Sequence, residues 1–89
     1  LIHRHAADYE SIVINETHLA IEKHDIHTHR QIVMQRYWAQ VQLRNRPYGE
    51  QALFVRSHGK EVELGHRFMN NEQRLELAHQ LQQAIQYGR

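Results

Sequence analysis

Apolar and polar residues alternate along most of this chain, and after Gly65 the alternation gives way to a helical rhythm. Side chains two apart share a face of a strand, so alternation predicts half-buried antiparallel strands. Tyr9 to Asn15 carries the β-branched cluster Ile12-Val13-Ile14, and Asn15-Glu16 predicts a turn. From His18 to His24, Leu19 and Ile21 face one way while Ala20 and Glu22 face the other. Asp25 to Thr28 is a polar break, after which Ile32 and Met34 oppose Val33. Arg36 is expected to start a bend. Tyr37, Ala39, Val41 and Leu43 then alternate with Trp38, Gln40, Gln42 and Arg44. Asn45 to Glu50 holds Pro47 and Gly49 and predicts a loop. Gln51 to Ser57 and Lys60 to Leu64 flank His58-Gly59, which is hairpin spacing with glycine in the turn.

Beyond Gly65 the chain predicts one helix from about Asn70 to Tyr87. Asn70 and Gln73 have the spacing of a reciprocal capping box, and Glu72 suits the positive end of the helix dipole. Leu75, Ala78, Leu81 and Ile85 fall at helical spacing, with Leu77 and Ala84 widening the stripe, and Gly88 marks a stop. The polar side carries Gln80, Gln82, Gln83 and Gln86 rather than lysine or arginine, so it does not suit a membrane surface. The expected core is Leu19, Ile21, Val41, Leu43, Leu53, Val55, Val62, Leu64, Phe68, Leu77, Ala78, Leu81 and Ile85. Positions 1–7 are expected to be a loose arm.

Strands followed by one helix, with short turns between strands, predict an α+β fold. The expectation is a strongly bent antiparallel sheet of about five or six strands over 9–64, closed by one C-terminal amphipathic helix over 70–87. All 89 residues form a single domain on this reading. Such a chain buries about 60–65% of its unfolded surface, so its core is thin. The absence of cysteine excludes disulfides and thiolate chemistry and fits a reducing compartment. The longest apolar run, Ala52-Leu53-Phe54-Val55, is far short of a membrane span. A net charge of +1, with acidic and basic residues interspersed, argues against nucleic acid as a partner. The nine histidines are the compositional anomaly.

Three stretches carry a family resemblance. The first is Tyr37-Trp38-Ala39-Gln40-Val41-Gln42-Leu43. The second is Leu53-Phe54-Val55-Arg56-Ser57-His58-Gly59-Lys60-Glu61-Val62-Glu63-Leu64-Gly65. The third is Phe68-Met69-Asn70-Asn71-Glu72-Gln73-Arg74, leading to Leu77-Ala78 and Leu81. Together they resemble the soluble C-terminal region of the bacterial domain-of-unknown-function 2244 family, small membrane proteins with an N-terminal membrane hairpin. His66-Arg67 and Asn70-Asn71 depart from that pattern at the helix entry. The resemblance implies a pleckstrin-homology-like fold and a membrane hairpin before Leu1. It also implies an inner-membrane location with this domain in the cytoplasm, a membrane-protein partner, and a link to respiratory oxidase assembly. It implies no activity and no cofactor.

Several side chains are candidates for chemistry. His3 and His5, and His27 and His29, form two His-x-His pairs, and each pair shares a face if it lies on a strand. His24, three before His27, could complete a set of imidazole ligands for zinc, copper or nickel. These histidines sit among polar neighbours, so His24, His27 and His29 are expected to be solvated and to hold no structural metal. Asp25 beside His24 could orient an imidazole, but Ser11 and Ser57 lack the glycine elbow of a nucleophile, so catalysis is not expected. Glu61 and Glu63 alternate with Val62 and Leu64 and are expected to face solvent. Arg36, Tyr37 and Trp38 are the expected interaction residues, because the two aromatic rings interleave with arginine as in stacking platforms. Trp38, opposite the Ala39, Val41, Leu43 face, is expected to be partly buried rather than exposed for a partner. The resulting expectation is a non-enzymatic interaction or assembly module, with a histidine-based metal-binding domain as the alternative.

Overall fold

The computed structural model describes residues 2–5, 9–24, 27–66 and 69–86, with side chains over 10–24, 27–66 and 69–86. Among the described residues, seven strands precede one helix: β1 (Ile2–His5), β2 (Tyr9–Ile14), β3 (His18–His24), β4 (His29–Gln35), β5 (Gln40–Asn45), β6 (Gln51–Ser57), β7 (Lys60–Leu64) and α1 (Asn71–Gln86). The α+β class therefore holds, and six of the strands fall within 9–64.

The expected single bent sheet is instead two antiparallel sheets, β1-β2-β3-β4 and β5-β6-β7. The reason lies at Arg36–Trp38, which forms a 3-10 turn closed by Ala39 N–H donating to the Arg36 carbonyl at 3.2 Å. That turn redirects the chain, so β5 pairs with β6 and not with β4. It also removes Tyr37 and Trp38 from the alternation that the sequence suggested. The loose arm expected over 1–7 is also replaced where it is described, residues 1, 6 and 7 lying outside the described residues. Ile2–His5 is a strand, paired with β2 from Ile2 opposite Ile12 to His5 opposite Tyr9.

Each sheet turns one aliphatic face inward, while Val13 and Val33 of the first stay exposed. On the first, Ile12, Leu19, Ile21 and Met34 are buried. On the second, Leu53, Val55, Val62 and Leu64 are buried, and Val41 and Leu43 pack against the same core. Helix α1 contributes Leu77, Ala78, Leu81 and Ile85. Full burial of a Leu or Ile side chain is worth about 1.5–3 kcal/mol, so these residues dominate the helix's attachment. Of the expected core, Phe68 lies outside the described residues, as does the helix end at Tyr87. Leu75 departs from the expected stripe and is exposed, while Arg74 on the neighbouring position is buried. Ile12, Met34, Ala39 and Met69 join the core without having been expected there.

Polar contacts at the corners determine how the layers meet. Asn70 and Gln73 form the reciprocal capping box: Gln73 N–H donates to Asn70 Oδ1, and Asn70 N–H to Gln73 Oε1, each at 2.9 Å. Asn71 then ties the helix entry to the loop before β6. Its Oδ1 accepts from Gln51 N–H at 2.9 Å and its Nδ2 donates to the Gly49 carbonyl at 2.8 Å. Arg74 donates to Asn71 Oδ1 at 3.2 Å and to the His66 carbonyl at 3.3 Å. At the opposite end, Arg36 donates to the Ala84 carbonyl at 2.6 Å and the Ile85 carbonyl at 3.2 Å. These carbonyls belong to the negative end of the helix, whose last turn has no basic residue of its own. The same guanidinium reaches the Asn15 carbonyl at 3.2 Å, joining the β2–β3 turn to the helix end.

Gly65 links the sheets. Its N–H donates to Glu10 Oε1 at 2.8 Å, and Glu10, buried on β2, also pairs with Lys23 at 3.4 Å. Gly65 has a φ of +72°, and a Cβ there would lie 2.5 Å from Met69 Sδ. Both the backbone conformation and the lack of space require glycine at the end of the Glu-Val-Glu-Leu-Gly run.

Candidate functional site

Two exposed surfaces gather the residues that the sequence singles out. The first is the β3–β4 hairpin. His24 and His29 are directly opposed across it, and their rings stack at 3.9 Å between centroids. Glu22, two residues before His24, lies on the same face by strand geometry, and its Oε2 approaches His24 Nε2 at 3.5 Å. The other carboxylate oxygen accepts from Gln31 Nε2 at 3.5 Å, and Gln31 is the register partner of Glu22 on β4. One ligating atom from each of Glu22, His24 and His29 therefore lies within 4.8 Å of the other two.

This grouping differs from the expected His24, His27, His29 set. Among the described residues, His27 is exposed in the connection and is not part of the converging group. Glu22 takes its place, because strand pairing, and not nearness in sequence, decides which side chains meet. The shared face of Glu22 and His24 was visible in the sequence, but the opposition of His24 to His29 required the register. The same register runs His5–Tyr9–His24–His29 across all four strands and His3–Ser11–Glu22–Gln31 beside it. The register thus gathers His24 and His29 of the nine histidines at one end of the first sheet, whereas His27 lies in the connection, His58 in the β6–β7 turn, His66 after β7 and His79 on the helix. Asp25, the candidate orienting carboxylate, lies outside the described residues.

The second surface is the 3-10 turn. Trp38 is 53% exposed and Tyr37 64% exposed, in edge-on contact with each other at 4.8 Å between centroids. His58, in the β6–β7 turn, meets Trp38 edge-on at 5.4 Å. That turn has positive φ at both His58 and Gly59, the mirror-image geometry that suits a two-residue hairpin. Flanking Arg36 and Ala39 hold the aromatic turn in place, one by its bonds to the helix end and the other by burial in the core. Arg36, expected as an interaction residue, is thus committed to helix packing, whereas Tyr37 and Trp38 present their rings to solvent.

The outward face of the second sheet carries fixed charges. Arg44 bonds Glu61 and lies over the Phe54 ring at 4.1 Å, while Arg46 pairs with Glu63 at 2.7 Å. The hydrogen bond between Arg44 and Glu61 raises the guanidinium pKa and holds the Glu61 carboxyl below its ordinary range. These carboxylates face outward, as the alternation predicts, but with arginine partners.

A family model described as integral membrane protein (DUF2244) matches residues 1–85. No curated protein and no solved structure matches the chain. Among the described residues, no helix is long and apolar enough to cross a membrane.

Proposed function

This chain belongs to the integral membrane protein (DUF2244) family, and we propose that it is a non-enzymatic interaction module through which a membrane protein contacts a protein partner. The observation that carries this reading is the aromatic ridge of Tyr37, Trp38 and His58. Large aromatic side chains are costly to leave in water, and they concentrate at the centres of protein interfaces. Here two of them sit on a turn braced from both sides, so little conformational freedom is lost when they are covered.

The non-enzymatic part rests on the nucleophile candidates. Ser57 and His58 line a cleft of about 340 Å³ with His18, Met34 and Lys60. Yet the buried Ser57 hydroxyl makes no hydrogen bond, so neither imidazole is placed to take its proton. The element order, four strands, then three, then a C-terminal helix, supports the pleckstrin-homology-like reading of the fold. The inner-membrane location with this domain in the cytoplasm, and a partner among respiratory oxidase subunits or assembly factors, follow from the family resemblance.

A photo-crosslinking residue at position 37, in the protein as it occurs in its membrane, tests the reading. Position 48 serves as the control, because Tyr48 is fully exposed away from the ridge residues. The expected result is a discrete protein adduct from position 37 that position 48 does not give. Adducts to lipid alone, or the same products from both positions, would overturn the reading.

A further inference from the structure

We propose that Glu22, His24 and His29 form a surface site for a divalent transition-metal ion of the zinc or copper type. The inference goes beyond the interaction reading and rests on different residues. It also departs from the expectation, drawn from the sequence, that these histidines hold no metal.

Three observations support it. The first is convergence: one donor atom from each residue lies within 4.8 Å of the others. Tetrahedral zinc with nitrogen and oxygen ligands near 2.0–2.1 Å separates its donors by about 3.4 Å, so the set closes once the stacked His24 and His29 rings splay to turn their in-plane lone pairs on one ion. The second is donor chemistry. Two imidazoles and one carboxylate suit zinc, copper(II) or nickel(II) and discriminate against calcium and magnesium, which prefer oxygen alone. The third is orientation. Gln31 holds one oxygen of Glu22, and the other oxygen is the one turned to His24. A hydrogen-bonded outer partner of this kind fixes a ligating carboxylate and strengthens the site.

The backbone supplies the remaining precision. His24 and His29 are register partners on adjacent antiparallel strands, and Glu22 is on the same strand as His24, so all three donors ride on paired backbone rather than on a loop. Three protein ligands leave at least one coordination position for water or for a donor from another molecule.

Calorimetric titration of the full chain with ZnSO4 at about pH 7.5, where an ordinary imidazole is neutral and able to ligate, tests the proposal. Long-range imidazole NMR spectra identify the histidines involved. The expected result is saturable one-to-one binding with shifts at His24 and His29, and a melting temperature that rises with zinc by mass action. His24→Ala and His29→Ala should each weaken binding by at least about tenfold, and Glu22→Gln by less. His58→Ala and His66→Ala should leave it unchanged. Circular dichroism confirms that each variant is folded. An unchanged melting temperature and no binding heat with either zinc or copper would overturn the proposal. So would binding that survives His29→Ala or spreads evenly over all histidines.

Discussion

The outward faces of the two sheets share a strand architecture but differ in the charges they carry. On β5–β7, Arg44 lies over Phe54 and pairs with Glu61, and Arg46 pairs with Glu63. On the β3–β4 hairpin, His24 stacks on His29 beside Glu22. Arginine and glutamate keep their charges through the neutral range, and a guanidinium has no lone pair to offer an ion. An imidazole changes charge in that range, and its neutral form offers a lone pair. The first face therefore satisfies its own charges by pairing, while the second carries groups whose chemistry depends on what is in solution. Cross-strand pairing builds both, and residue type alone separates a structural surface from a candidate binding one.

The largest expected effect removes what the two sheets share. Leu81 is fully buried in the common core, and Leu81→Ala should cost about 2–5 kcal/mol in urea unfolding. Signals from both sheets should be lost in one transition. A cost below about 0.5 kcal/mol would mean that the helix does not close the core.

Gly65→Ala tests the joint between the sheets. The positive φ and the crowding against Met69 predict a loss of about 1–3 kcal/mol. Loosening of the Glu10 contact would appear as faster hydrogen exchange at the residue 65 amide.

Arg36→Met should cost about 1–2 kcal/mol, because three carbonyls lose a charged donor and the helix end loses its only described cationic partner. Hydrogen exchange should quicken over the last helical turn and stay unchanged at the capping box. Uniform acceleration along the helix would contradict a local role.

The two outward faces themselves should matter least to stability. In the absence of metal, His24→Ala combined with His29→Ala should change unfolding free energy by no more than about 0.5 kcal/mol, as surface substitutions usually do, although His24 is half-buried. A larger loss would make the histidine pair structural and erase the contrast with β5–β7.

On the arginine face the effect is a direction in pH. Glu61 is held below its ordinary pKa of 4.5 by the hydrogen bond from Arg44. Its contribution is complete above that ordinary value and is lost as pH falls through the lowered one. Arg44→Gln should therefore lose less stability than the parent on acidification below pH 4.5. Parallel acid limbs in the two proteins would show that the pair adds nothing to the fold.

Much of this architecture is legible in the sequence because its causes are local. The alternation from Gln51 to Leu64 marks β6 and β7 at their observed ends, since glycine at position 59 and the β-branched neighbours act within a few residues. The Asn70–Gln73 spacing announces a capping box that the structure contains, because both bonds close over three residues. The inward faces of β3 and β7 and most of the helix stripe follow from periodicity, which reports which side of an element is apolar whatever lies against it.

Pairing between distant segments is not written in that way, and tertiary structure decided the rest. Tyr37 and Trp38 continue an alternating pattern, but the 3-10 turn that splits the sheets is held by Arg36 reaching carbonyls nearly fifty positions away. Ile2–His5 became a strand because β2 offered it an edge, which a polar tetrapeptide does not reveal by itself. His27 stands closer in sequence to His24 and His29 than Glu22 does to His29, yet Glu22 joins the donor set. The physical reason is that a strand shows the identity of its own faces, while the register that brings one face against another is set by the whole folded core.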